Sequence, residues 1–311
     1  MQRVGFIVYP GFQIIGLAAA TAFEVANLVS DPPVYEVSVQ SESGGTIRGS
    51  DAVSVDSATL DDTHFDTLIV LGGTGIPDPS PGLLEYIRLA SGRVRRLASI
   101  CTGAFVLAEA GLLDGRRATT HWLLAPELRI RFPAIKVEED RIFLIDGTIW
   151  TSAGMSAGID LALAMIEKDL GREIARSVAQ KLVLYHRRAG GQSQHSTLLA
   201  LEPKSDRIQS ALDHARRNLR NSLSVEELAE AAHLSPRQFS RLFRAETGES
   251  PAKAIEQLRI EAARLMLEQG RHPIEVIARE TGFDDRNRMR RAFLRAYGVP
   301  PQDIRRKLAD A

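Results

Sequence analysis

Apolar positions follow two different rhythms along this chain. In the first part, short and nearly continuous apolar runs stand at 3–9 (RVGFIVY), 34–40 (VYEVSVQ), 67–72 (TLIVLG) and 97–101 (LASIC). Between them, at 14–29, 81–91, 103–110, 121–131 and in a long stretch after Gly154, apolar residues recur at helical spacing. Strands that are apolar on both faces, separated by helices, predict a parallel sheet covered on both sides. The ligand site of such a sheet lies beyond the carboxyl ends of its strands. Here those ends read Pro10-Gly-Phe-Gln13, Gly72-Gly-Thr-Gly75 and Cys101-Thr102-Gly103.

The last third has only the helical rhythm, and it says the same thing twice. LAEAAHLSPRQFSRLFRAETGESP, ending at Pro251, is answered by IARETGFDDRNRMRRAFLRAYGVPP, ending at Pro301. Ala229 matches Ala278 and Leu234 matches Phe283 at an offset of 49, whereas Phe239/Met289, Phe243/Phe293 and Gly248/Gly298 match at 50. One residue has therefore been inserted in the turn of the second copy. Each copy is a short helix, a tight turn and a second helix with an apolar stripe (Phe239, Leu242, Phe243; Met289, Ala292, Phe293), the outline of a helix-turn-helix. Start signals agree: Ser224 with Glu227 and Ser235 with Gln238 form capping boxes, Pro236 suits a first helical turn, and Asp284 or Asp285 can cap the matching helix. Pro251 and Pro273 mark two further helix starts, and Gly248, Gly270 and Gly298 mark stops.

Charge adds meaning to these helices. Arg237, Gln238, Ser240, Arg241 and Arg244 surround the stripe of the first second-helix, and Arg286, Asn287, Arg288, Arg290, Arg291 and Arg295 that of the other. Arginine pairs bidentately with guanine and asparagine with adenine in a major groove, so tandem arginine-bearing helices point to DNA. A formal net charge of zero over 311 residues hides this, because residues 207–311 carry 20 Lys+Arg against 15 Asp+Glu and the remainder is acidic by the same margin. Length predicts two domains. The polar stretch GQSQHSTLLALEPKSD, after a helix expected to end in YHRRAGG at 185–191, reads as a flexible connection. The boundaries follow as 1–190, a linker at 191–204, and 205–311.

One cysteine excludes an internal disulfide and fits a reducing compartment, and no run of 18 apolar residues provides a membrane span. GLAAATA at 16–22 has the look of a signal cleavage site, but Tyr9-Pro-Gly11 and Gln13 break the segment before it. A cytoplasmic protein is expected.

Cys101 ends an apolar strand and at once begins the helix TGAFVLAEAG. A sharp strand-to-helix turn would hold the thiol in a strained position before helix N–H groups, which lowers a thiol pKa. The Gly72-Gly73 turn can add backbone donors, and His121 lies twenty residues on. A buried, inert cysteine remains the alternative. Phe12 and Trp122 can wall a cation site or simply pack in the core.

The strand leading into CTGAFVLAEAGLLDGRRATTHW, the opening VGFIVYPGF, the LGGTG loop and WTSAGMSAGIDLALAMIEKDLGREIA resemble the PfpI-like, class I glutamine-amidotransferase-like superfamily. The C-terminal repeat resembles the AraC family, and the combination is similar to GlxA-type AraC regulators over nearly the whole chain. The resemblance implies a flavodoxin-like, PfpI-like parallel α/β sensor domain followed by an all-α double helix-turn-helix domain. It implies that Cys101 matches the elbow nucleophile, His121 its partner, and Gly73 with Thr102 an oxyanion-hole backbone. The superfamily's acidic residue from the loop after the first strand is here Gly16, which removes a proton acceptor; Met289 and Ile304 replace a usual Phe and Tyr.

The expected function is a transcriptional regulator, an activator by resemblance, that responds to a small nitrogenous metabolite and binds promoter DNA. Effector contacts are expected from Phe12, Gly73, Thr74, Cys101, Thr102 and His121. Base contacts are expected from Arg237, Ser240, Arg241, Arg286, Asn287 and Arg290, with the helices in successive major grooves. The resemblance implies RNA polymerase as a partner and a homodimer formed through the N-terminal domain. No metal, cofactor or membrane is expected. The competing reading is a cysteine-dependent hydrolase or hydratase with a DNA-binding appendage, favoured by Cys101 and His121 and opposed by Gly16.

Overall fold

The computed structural model describes residues 1–61, 63–184, 188, 190, 194, 203, 205–268 and 272–304. The chain divides into two compact units, Met1–Gln194 and His195–Ala311. Gly270 and nearly all of the stretches 185–191 and 191–204, where a helix end and a linker are expected, lie outside the described residues.

In the first unit the strands are β1 (Gln2–Ile7), β2 (Tyr35–Ser41), β3 (Gly45–Arg48), β4 (Ser54–Thr59), β5 (Thr67–Val70), β6 (Arg96–Ile100), β7 (Arg117–Ala118), β8 (Lys136–Val137), β9 (Phe143–Asp146) and β10 (Ile149–Ser152). Eight form one sheet in the order β3-β4-β2-β1-β5-β6-β10-β9. The run from β4 through β10 is parallel; β3 and β9 pair antiparallel at the two edges. β5 and β6 are buried along their whole length, which is why they lack alternation in sequence. Two apolar layers cover the sheet. One packs Phe6, Phe23 and Trp150 with the helix Ala157–Leu170, and the other packs Leu68, Ile87 and Phe105. The expected helices are present as Ala18–Val29, Pro81–Ser91, Gly103–Glu109, Ala125–Arg131 and Ala157–Leu170, the first and fourth entered through 3-10 turns at Ile14–Leu17 and Trp122–Leu124.

The second unit is helical and built as two small cores on one bridging helix, Pro251–Glu268. Phe239 and Phe243 pack with Ala254, Ile255 and Leu258 of that helix, and Met289 and Phe293 pack with Ile260, Ala263 and Leu267. In the first copy, Ala232 to Ser235 separate Val225–Ala231 from Pro236–Thr247; in the second, Thr281 to Asp285 separate Ile274–Glu280 from Arg286–Tyr297. The turns share their hydrogen bonds: Leu234 N–H donates to Ala229 O, and Phe283 N–H to Ala278 O. His233 and Gly282 hold the same left-handed backbone, and the inserted residue, Asp284, adds a second left-handed position. The full capping box is made at Ser235 and Gln238. At Ser224 only the serine half is made, because the Glu227 carboxylate bonds His214 Nε2 at 2.9 Å instead. Asp285, not Asp284, caps the last helix. No helix among the described residues is long and apolar enough to cross a membrane.

Candidate functional site

Parallel strands bring their carboxyl ends to one edge, and the sequence-predicted residues of the first unit gather there. Cys101 follows β6 with φ at 57°, in the left-handed region that L-residues avoid, at a cost of about 1–3 kcal/mol that the surrounding packing sustains. Its N–H donates to the carbonyls of Ser152 and Ala153 at the end of β10. Its carbonyl accepts from Thr120 Oγ1 at 2.8 Å.

Gly154 is the floor on which thiol and imidazole meet. A Cβ there would stand 3.1 Å from Cys101 Sγ, and closer still to His121 Cδ2. Only glycine lets the two side chains converge. His121 Nδ1 accepts from the Leu123 N–H at 3.2 Å and its ring stacks on Trp122, centroids 5.7 Å apart. Because Nδ1 accepts, the neutral ring carries its proton on Nε2.

The thiol differs from expectation. Burial pushes its pKa up, and the N–H groups of Thr102 and Met155, which favour thiolate, only partly offset this. Nearby, burial and the neighbouring Cys101 also push the Tyr9 phenol up; its hydroxyl donates to Leu71 O at 2.8 Å. The Gly73 N–H, expected as an oxyanion donor, donates to Thr102 Oγ1 at 2.8 Å, so it is already engaged. At Gly16 a Cβ would approach Leu71 Cδ2 to 3.1 Å. The position fits glycine tightly and does not simply lack a carboxylate.

Of the remaining expected contacts, Thr102 is buried and Thr74 exposed, while Trp122 is exposed at the rim. Phe12 is fully buried in the core, and it is its backbone that reaches the edge, bridging Gly73. Tyr9, Thr120, Gly154 and Met155 were not singled out from sequence. Their shared signal is position at a strand end or in the turn that follows one.

In the second unit, Arg237, Arg241, Arg286, Asn287 and Arg290 are exposed and Ser240 is half-buried. A depression at the start of Arg286–Tyr297 is lined by Asp285, Arg286, Asn287, Arg290 and Arg291. The bridging helix ties both copies down. Arg259 donates to Leu219 O and Asn221 O, at 3.2 and 2.7 Å, while Arg264 lies over the Tyr297 ring at 4.8 Å.

An α/β unit with a left-handed cysteine at a strand-to-helix turn, joined to a tandem helix-turn-helix unit, defines a class of two-domain DNA-binding proteins. The DJ-1/PfpI family matches residues 2–168 and a helix-turn-helix domain matches 228–307. The chain is 32% identical over 325 residues to the HTH-type transcriptional regulator GlxA of Rhizobium meliloti, covering 99% of this chain and 96% of that one. The chain is also similar to an isonitrile hydratase of Pseudomonas putida, 32% identical over 188 residues, 58% of this chain and 77% of that one. Among solved structures, an AraC family transcriptional regulator from Pseudomonas putida matches with a TM-score of 0.54 at 22% identity, covering 58% of this chain and all of that one, and shows the fold. The chain belongs to the DJ-1/PfpI family and, through its second unit, to the AraC-type HTH transcriptional regulators. It is a DNA-binding transcriptional regulator.

Proposed function

We propose that residues 1–190 sense a small nitrogenous metabolite between Cys101 and His121, and that its binding sets how residues 205–311 occupy a promoter. The linker at 191–204 joins the two. In this reading the protein is a cytoplasmic activator, a homodimer through its first unit, and a partner of RNA polymerase. Thr74, Thr102, Gly73 and the Phe12 backbone border the effector site. Arg237, Ser240 and Arg241 read one major groove; Arg286, Asn287 and Arg290 read the next, about 34 Å along the duplex.

The observation that carries the sensor reading is the convergence of thiol and imidazole over Gly154 at the strand ends. Binding without turnover is supported by three features: burial pushes the thiol pKa up, the Gly73 N–H is engaged, and Gly16 offers no carboxylate. Kinship with an isonitrile hydratase favours a second, catalytic reading. A metabolite screen by thermal shift separates them, since a ligand of the folded state raises its melting temperature. The expected hit loses its shift in Cys101→Trp, retains it in Cys101→Ser and is recovered unchanged after incubation. Turnover abolished in Cys101→Ser would overturn the sensor reading. Alkylation of Cys101 should also be slow at neutral pH, accelerating only above the ordinary thiol value of about 8.5, because the raised pKa keeps the thiol neutral below it.

A further inference from the structure

Composition places Gln194 in a polar connection, yet its side chain is fully committed. Its Oε1 accepts from the Trp122 N–H at 2.9 Å, and its Nε2 donates to Thr120 O and Glu139 O, both at 2.8 Å, and to Thr119 Oγ1 at 3.3 Å. Its own N–H donates to Asp140 Oδ1 at 2.7 Å. One carboxamide therefore grips the residues on both sides of His121. The same loop is tied to the elbow through Thr120 Oγ1 and Cys101 O.

A second tie lies on the other side of the sulfur. Arg188 donates from Nη2 to Ser156 Oγ at 2.8 Å, and from Nε and its backbone N–H to the buried Asp160 carboxylate at 2.9 and 2.8 Å. Ser156 belongs to the turn that begins at Gly154. Gly190 O accepts from Phe143 N–H, the residue paired with Ser152 at the end of β10. The last described residues of the first unit are thus fastened to the two loops that meet at Gly154.

We infer that Gln194, seconded by Arg188, is the residue through which an effector bound between Cys101 and His121 reaches the chain leading to the DNA-binding unit. This rests on the proposal that the effector binds there. A ligand entering between ring and sulfur must move the 119–122 loop or the 154–156 turn, and neither moves without straining bonds to the departing chain. Coupling then needs no contact between ligand and the second unit, only a loop with two arrangements that both the ligand and the departing segment bias.

The test uses the full chain and a built-in probe in place of a ligand. Gly154→Ala sets a methyl against His121 and forces the ring to shift. Trypsin cleavage between Lys181 and Arg207, and amide exchange over residues 119–124, are followed in Gly154→Ala, Gln194→Ala and the double variant. Gly154→Ala should speed cleavage roughly tenfold, the loss of one to two net hydrogen bonds. Gln194→Ala should do the same, and the double variant should be no faster than Gln194→Ala alone. Multiplied effects in the double variant would overturn the inference, as would faster loop exchange in Gly154→Ala without faster cleavage. Should Gly154→Ala not fold, Gln194→Ala still decides: its Trp122 amide should exchange about tenfold faster, and unchanged exchange refutes the role of Gln194. These outcomes condemn that role and leave the sensor reading standing. Failure of every metabolite to give a Cys101-dependent thermal shift condemns the sensor reading instead.

Discussion

The two helix-turn-helix copies share a backbone plan and differ in how they hold their arginines. On Pro236–Thr247, Arg237, Arg241 and Arg244 are exposed and, among the described residues, make no ion pair. On Arg286–Tyr297, Arg286 pairs with Glu275 at 3.2 Å, Arg288 with Asp284 at 2.8 Å and Arg295 with Glu256 at 2.7 Å. The second copy has more positive charge in sequence and less of it available. Exposed pairs are worth only about 0–1 kcal/mol, so DNA phosphate can compete for these arginines. Counting arginines therefore overstates the charge the second helix offers, because among the described residues only its Arg290 and Arg291 make no ion pair.

The largest expected effects test whether the copies have separate cores. Phe243→Ala and Phe293→Ala each remove a fully buried ring, and each should cost about 3–5 kcal/mol in urea unfolding. Amide exchange should quicken mainly in the copy that is mutated. Equal opening of both copies would show one cooperative core and break the comparison. The turns should respond less strongly and with opposite sign. Gly282→Ala brings a methyl into the Leu219 carbonyl and the Arg259 guanidinium at a left-handed position; a loss of about 1–3 kcal/mol or more is expected. His233→Gly, at the matching position, relieves left-handed strain and should gain up to about 1 kcal/mol. A loss from both substitutions would mean the two turns are not equivalent.

Those turns explain why the second unit was legible in sequence and much of the first unit's site was not. Amphipathic stripes, Ser235 with Gln238, and Gly248 and Gly298 in left-handed caps encode each helix locally. In the first unit, β5 and β6 were legible as buried apolar runs, but β4 (SVDSAT) is an exposed polar strand without contrast between its faces. β10 is four residues long and buried throughout, so it has neither length nor alternation to announce it. The meeting of Cys101 and His121 at Gly154 depends on β10 lying beside β6, a long-range pairing that no local period records. The thiol's raised pKa was misread for a related reason: the elbow geometry is local, whereas the burial that dominates it is contributed by distant segments. Gln194 gave no signal at all, because a polar residue in a polar stretch looks the same whether bonded or solvated.

Smaller effects concern DNA. Arg241→Ala and Arg290→Ala should each weaken binding to the specific site by about 1–3 kcal/mol, with much smaller losses on random DNA. Equal losses on both would make the residue a phosphate contact. The smallest effect should come from freeing Arg286: Glu275→Gln removes its partner and should strengthen binding by at most about 1 kcal/mol, with a steeper salt dependence. No change in salt slope would mean that Arg286 does not reach the DNA.

Two reading helices on one bridging helix are expected to engage DNA together. Chemical footprinting on a duplex selected from a random pool by the full chain is the test of this. Protection should appear as two major-groove patches on one face, about 34 Å or one helical turn apart. Arg241→Ala should erase one patch and Arg290→Ala the other. A single patch that both substitutions erase would contradict the claim.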